Sequence, residues 1–196
     1  VPVFLSSELS PETHLSLVIP FKNEEDKLPF LFEKLNIQCR NNSRVEILLV
    51  NDHSDDKSFS LAESFVNDNE NCLLYSLPDG LIGKKEALRY AVTRSKNDYV
   101  LFTDADTIPE PRWIHTVMQF VQLNEPVFVS APVRMIPYKN SFFHFFQALD
   151  FASLTGIGLA SFIQQSPIMC NAANMVVRKD VFLESYKAIH PELPTG

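Results

Sequence analysis

The chain has 196 residues, 45% of them hydrophobic, which suits one compact domain with a proper core and excludes a disordered segment. Its 17 Lys and Arg against 24 Asp and Glu leave a formal net charge of -7. No basic stripe gathers phosphate backbones, so no nucleic-acid partner is expected.

In chain order, the apolar run LSLVIP (15–20) reads as a buried strand stopped by proline. EEDKLPFLFEKLNIQC follows with Leu28, Leu31, Phe32 and Leu35 at helical spacing behind acidic residues suited to a helix start. VEILLV (45–50) is a second strand, DDKSFSLAESFVND a second helix, NCLLYSL a third strand and GKKEALRYAVTRS a third helix. DYVLFTDAD is a fourth strand, WIHTVMQFV a helix and VFVSAPVRMI another strand. Alternating helices and continuously apolar strands predict an α/β class with a mostly parallel, Rossmann-like sheet flanked by helices. Ligands of such sheets bind beyond the carboxyl ends of the strands.

The segment NSFFHFFQALDFASLTGIGLASFI predicts an amphipathic helix with Phe142, Phe145, Phe146 and Leu149 on one face. That face suits either packing on the sheet or contact with a membrane or further protein. His144, Gln147 and Asp150 interrupt it, and no unbroken apolar run of 18 residues is present, so any membrane segment is expected outside this chain. Cys39, Cys72 and Cys170 lie far apart without metal or disulfide spacing, favouring packing roles in a reduced, cytosol-facing setting. His53, His115 and His144 show no ligand spacing and read as structural, and Trp113 reads as a core anchor for its helix. The start at Val1 and the polar HPELPTG tail read as the ends of a piece of a longer protein, a single catalytic domain over 1–196 cut at its C-terminal side.

The strand ends carry the chemistry. PFKNEED follows the first strand, NDHSDD the second and TDADT the fourth, so a parallel sheet would crowd Glu24, Asp52, Asp104 and Asp106 onto one rim. Close carboxylates repel one another and are costly to bury, and the nearby cations are Lys22 and the GKK of Gly83 to Lys85. A divalent cation such as Mn²⁺ or Mg²⁺, which takes carboxylate and phosphate oxygens, would bridge these acids to a diphosphate. An isolated Asp-x-Asp is also what a solvated turn looks like. Here it ends a strongly apolar strand after two other acidic strand ends.

LSLVIPFKNEE, VEILLVNDHSDD, GLIGKKEAL, DYVLFTDADTIPEPRWI and CNAANMVVRKDVF, in that order and spacing, resemble the family 2 glycosyltransferases over nearly the whole chain. The resemblance implies the GT-A (nucleotide-diphospho-sugar transferase) fold and inverting transfer of a sugar from a UDP- or GDP-linked donor. It implies a nucleotide-binding set of Pro20, Lys22, Glu24, Asp52, Lys84 and Asp104, with Lys85 in the same segment. Asp104 and Asp106 match the metal-binding pair, Asp106 as the direct ligand to metal and diphosphate, and Asn171 and Asn174 match the sugar or acceptor pocket. The chain departs from the family at Lys22, often aromatic there, at Asn51, more often aspartate, at Arg89, where an asparagine is common, and at Ala172, commonly glycine.

The family's general base comes from an acidic pair well beyond the Asp-x-Asp. Asp180 sits in a helical pattern and Glu192 in a Pro-flanked turn, so the base is expected beyond Gly196 and the piece itself is expected to transfer sugar poorly. The acceptor stays open among a glycan, a lipid or another molecule. By resemblance the parent protein belongs on the cytosolic face of a membrane. Two other readings remain: a non-catalytic sugar-nucleotide-binding or protein-interaction module, and a nucleotidyltransferase, for which PFKNEED lacks a glycine- and arginine-rich phosphate loop.

Overall fold

A computed structural model describes residues 13–40, 42–136, 141–166 and 168–189. Its elements run β1 (Leu15–Phe21), α1 (Leu28–Cys39), β2 (Val45–Asn51), α2 (Ser58–Asn67), β3 (Cys72–Ser76), α3 (Lys84–Arg94) and β4 (Tyr99–Phe102). They continue with α4 (Trp113–Asn124), β5 (Phe128–Ser130), α5 (Phe142–Ile163), a single 3-10 turn at Ala172–Asn174, β6 (Met175–Arg178) and α6 (Lys179–Ile189). Glu192, named above as a candidate base, lies outside the described residues.

Every residue of β1 and β2 is buried, the pattern of central strands covered on both faces. Leu17, Ile19, Ile47 and Leu49 point to one face, where Leu31 and Leu35 of α1, Phe65 of α2 and Met118 of α4 cover them. Val18, Leu48 and Val50 point to the other, against Ala87, Ala91 and Val92 of α3 and the partly buried Phe182 of α6. Each fully buried leucine or isoleucine here contributes about 1.5–3 kcal/mol relative to exposure.

The sheet order is β3-β2-β1-β4-β6-β5, with β1 parallel to β2 and β4, and β2 parallel to β3. β6 then pairs antiparallel with both β4 and β5. The mostly parallel sheet is therefore present, with an antiparallel extension that the apolar pattern did not announce. The strand expected over VFVSAPVRMI shrinks to Phe128–Ser130, and MVVR, with no strand predicted, forms β6. Four residues are too few for a periodicity to register.

Proline explains where the sheet opens. Thr103 donates its N–H to the Val18 carbonyl, and Asp52 donates to the Phe21 carbonyl, so even-numbered residues of β1 face β4. Pro20 is next on that side and has no N–H to continue the ladder, which ends at Val18–Phe102. Chain order reverses between β1 and β4, with β2 and β3 to one side, so a crevice opens at the switch point of the sheet.

Candidate functional site

Three loops meet at that crevice. Those after β1 and β2 are laced together: Asn23 N–H donates to Ser54 Oγ (3.1 Å), Glu24 N–H to Ser58 Oγ (2.7 Å), and Asp55 N–H to Asn23 Oδ1 (2.8 Å). Asn51 turns the second loop by accepting the Ser54 N–H at 3.1 Å. Asn23 and His53 hold positive φ of 54° and 55°, which Asn tolerates better than most residues. The third loop follows β4, where Thr107 Oγ1 donates to the Asp104 carbonyl at 2.8 Å and lies 2.9 Å from Thr103 Oγ1. That turn holds the Asp104 and Asp106 backbone in register.

Asp52 is buried beside Phe21, and its Oδ2 accepts the N–H of Gly83 at 3.0 Å, while His53 Nδ1 lies 3.2 Å from Oδ1. The buried carboxylate thus pins the start of α3, and Gly83 meets it with φ +97°, a conformation glycine tolerates and residues with a Cβ resist. Lys84, the first residue of α3, pairs through Nζ with Asp104 Oδ1. Burial pushes the Glu24 carboxyl up from its ordinary range, and the charge of Asp106 adds to the effect, followed by Asp56 and Asp104, against a lowering by Lys27.

A cavity of about 240 Å³ lies in the crevice. All six residues assigned to the nucleotide line it, Pro20, Lys22, Glu24, Asp52, Lys84 and Asp104, and so does Asp106. Lys85 does not line it. Phe21, Ala105 and the lacing residues Asn23, Ser54 and Ser58 were missed from the sequence, because single polar residues in a loop carry no pattern until the loops are paired.

The Asn pair separates. Because β6 runs antiparallel to β4, with Met175 opposite Phe102, the segment before β6 arrives at the same rim as Asp104. Asn171 lines a second cavity of about 230 Å³, which also includes Lys84. Asn174 lines neither cavity: its Oδ1 accepts the Trp113 indole N–H at 3.0 Å and its Nδ2 donates to the Pro132 carbonyl at 3.2 Å. Its carboxamide braces Trp113, which packs half-buried against the core.

The same antiparallel pairing carries Asp180 away. Lys179 N–H donates to the Asp98 carbonyl before β4, so Asp180 stands at the opposite rim, paired with Arg178. As to a cation, no group of three or more His, Cys, Asp or Glu side chains among the described residues is gathered to hold one. Asp104 and Asp106 nonetheless fit the chemistry of a hard ion, as carboxylate oxygen donors that both line the cavity.

The profile of glycosyl transferase family 2 matches residues 16–185. The chain belongs to glycosyl transferase family 2. Among its relatives, an undecaprenyl-phosphate 4-deoxy-4-formamido-L-arabinose transferase of Pectobacterium atrosepticum is 32% identical over 108 residues, 55% of this chain and 33% of that protein. A transferase of the same description from Yersinia pestis is 31% identical over 110 residues, 54% of this chain and 34% of that protein. The chain thus spans about a third of the length of these curated relatives.

Solved structures of similar fold include the mannosyltransferase PcManGT of Pyrobaculum calidifontis in complex with GDP-Man and Mn²⁺, at TM-score 0.60 and 18% identity over 92% of this chain and 49% of that one. TarS 1-349 of S. aureus in complex with UDP-GlcNAc gives 0.58 and 19% over 65% and 36%. Glucosyl-3-phosphoglycerate synthase of Mycobacterium tuberculosis in complex with UDP gives 0.61 and 16% over 87% and 58%. At such identities the likeness speaks for the fold, and the six-stranded α/β sheet is that of the GT-A family members.

α5 departs from the sequence reading in one way and decides between alternatives that reading left open. By length and composition, residues Phe142–Phe162 are long and apolar enough to cross a membrane, although they contain no unbroken apolar run of 18 residues. The three interrupting residues are diluted over 22 positions. Of the settings the sequence left open for its apolar face, packing on the sheet is not the one taken by the first part of the helix: Phe142 is 87% exposed, Leu149 66% and Phe146 57%, and Phe143 on another side is 64% exposed, whereas Phe162 near the end stacks on Phe128 of β5 at 5.7 Å. The helix is apolar around much of its circumference, with the expected apolar face left uncovered.

Proposed function

We propose that this chain carries the donor-binding part of a glycosyltransferase that moves a sugar from a UDP- or GDP-linked donor to an acceptor hydroxyl, assisted by Mn²⁺ or Mg²⁺ and with inversion. The observation that carries the reading is the convergence of Pro20, Lys22, Glu24, Asp52, Lys84, Asp104 and Asp106 on one cavity at the switch point of the sheet.

In this reading Asp52 does two things. One oxygen holds Gly83, and the lone pairs that remain accept hydrogen bonds from the base or ribose. Pro20 and Phe21 give the nucleoside an apolar wall. Lys84 neutralises Asp104 before the donor arrives and shifts to the diphosphate oxygens afterwards, which frees Asp104 as an oxygen donor. Asp104 and Asp106 would hold the divalent ion, Asp106 directly. When bound, that ion stabilises the charge growing on the diphosphate leaving group.

The proton of the acceptor hydroxyl needs a base. Asp180 faces away, and the carboxylates of the cavity are engaged with donor and cation, so we assign the base to a segment outside residues 13–189. Steady turnover by the 196-residue chain alone would refute that assignment. We also assign the parent protein to the cytosolic side of a membrane; α5 and the three cysteines without disulfide spacing support it.

The test is calorimetry of UDP and GDP binding, with and without Mn²⁺, to the native chain and to Asp106→Ala. Metal should raise the affinity of the native chain at least tenfold, about 1.4 kcal/mol, and leave the variant unimproved. Equal affinity in all conditions would overturn the reading.

A further inference from the structure

α5 meets the rest of the molecule along one side. Phe151, Thr155 and Gly158 line the second cavity, and Phe162 stacks on Phe128. Two close approaches fix that side: a Cβ on Gly158 would lie 3.1 Å from the Met169 carbonyl oxygen, and Ser161 Oγ accepts the Ile168 N–H at 3.1 Å. At about 100° per residue, Phe145, Leu149, Ala152, Gly156 and Ala160 form a stripe centred roughly 130° away round the helix, and all five are exposed. The stripe carries no polar side chain, and His144, Gln147 and Asp150 project to the other side of the helix. A surface helix of a protein in water has the reverse arrangement, with its apolar side inward and its polar side outward.

We propose that α5 is an in-plane membrane anchor: it lies along the surface of a bilayer, with this stripe among the acyl chains and the sheet on the aqueous side. Two observations choose lipid over a protein partner. Phe142, Phe143, Phe145 and Phe146 are each between 56% and 87% exposed and spread over roughly 160° of the circumference. One protein surface would cover a single side of such a helix, whereas acyl chains close round it. Residues 141–166 also contain no Lys or Arg and a single acid, Asp150, so the helix lacks the charged rim that sets register at a protein interface.

The connections decide against a span. Ser130, the last residue of β5, pairs with Met175, the first of β6, so the chain leaves the sheet and re-enters it at one place. A helix across the bilayer would need residues 131–141 or 164–174 to carry the chain back through about 30 Å of hydrocarbon. The first of these segments holds Arg134 and Lys139, the second Gln164, Gln165, Asn171 and Asn174, and neither forms an α-helix among its described residues that would satisfy the backbone in lipid. The membrane contact is therefore a property of this chain itself, whether or not it transfers sugar. Lys84 lines both the first cavity and the one beside α5, so the anchor sets the crevice of the sheet next to the bilayer surface.

Flotation of the full chain with phosphatidylcholine vesicles tests this, at about 0.15 M and about 1 M NaCl. An uncharged apolar stripe should float the chain equally at both, and added phosphatidylglycerol should change little. The Phe145→Asp, Leu149→Asp double variant, at positions 56% and 66% exposed, should lower partitioning at least about tenfold, while Ile37→Asp on α1, 68% exposed, should leave it unchanged. All three sites are on the surface, so urea midpoints without lipid should stay close to native. Phe145→Trp and Ala160→Trp, each read against the Trp113 background with lipids brominated at set depths, should report one shallow depth at both ends of the stripe. The proposal is overturned by absence of flotation, by flotation that needs phosphatidylglycerol and is lost in high salt, or by flotation kept in the double variant. Unequal depths at the two tryptophans would overturn it by showing a span, and a dimer that does not float and that the double variant dissociates would assign the face to a second copy of the chain.

Discussion

Asp52 shows how one carboxylate can serve the fold and the site together. Its Oδ2 satisfies the Gly83 N–H, and that bond places Lys84 opposite Asp104. Gly83 in turn holds φ +97° with open space where a Cβ would stand, so what opposes alanine there is the backbone conformation and not a clash. Gly83→Ala should therefore cost about 1–3 kcal/mol, read as a lower urea midpoint, and should weaken nucleotide binding because the start of α3 moves. An unchanged midpoint would show that the turn relaxes freely. Both Asp52 and Lys84 were legible in the sequence as strand-end and helix-start residues. The bond linking them was not, because 31 residues separate Asp52 from Gly83 and no local pattern reports on such a contact.

At the scale of elements, β1 and β2 show how apolar continuity encodes a central strand, since every residue of both is buried. α5 shows the limit of the same reasoning: an apolar helix can be a core element or an uncovered one, and composition does not distinguish them. A paired measurement does. Leu48→Ala, in a strand residue with no exposure, should lower stability by about 2–5 kcal/mol in urea unfolding. Phe143→Ser and Phe146→Ser on α5 should each stay within about 0.5 kcal/mol of the native chain. Comparable losses at both places would mean that α5 is packed in solution. β6 failed to register for a different reason, since its four residues acquire strand character from pairing with β4 and β5.

For the molecule as a whole, the balance of charge and the buried thiols predict a pH response. Cys39 and Cys72 are raised from 9.0 to about 12, chiefly by desolvation. Above pH 9 the unfolded chain releases these protons while the folded chain keeps them, so the stability they contribute is present below 9 and is lost as pH rises toward 12. Urea midpoints should fall over that window, and a Cys39→Ala, Cys72→Ala double variant, though less stable at neutral pH, should show a shallower decline. An identical slope in both proteins would assign the alkaline loss to other groups. Near neutral pH, nucleotide with Mn²⁺ at a hundred times the dissociation constant should add about 2.7 kcal/mol of stability, read as a higher urea midpoint.

The apolar strand runs, their alternation with helices and the acids that follow three of them are local properties, and the sequence by itself determined that a parallel sheet would carry carboxylates on one rim. Strand order, the antiparallel return of β6 and the uncovered state of α5 depend on contacts between segments far apart in the chain, and only the tertiary structure decided them. That is why Asp180, near the carboxylates in no sense a sequence can express, stands at the opposite rim, and why Asn171 reaches a cavity while Asn174 is spent on Trp113. Period and composition are legible one segment at a time, whereas which segments become neighbours is settled by the packing of all of them together.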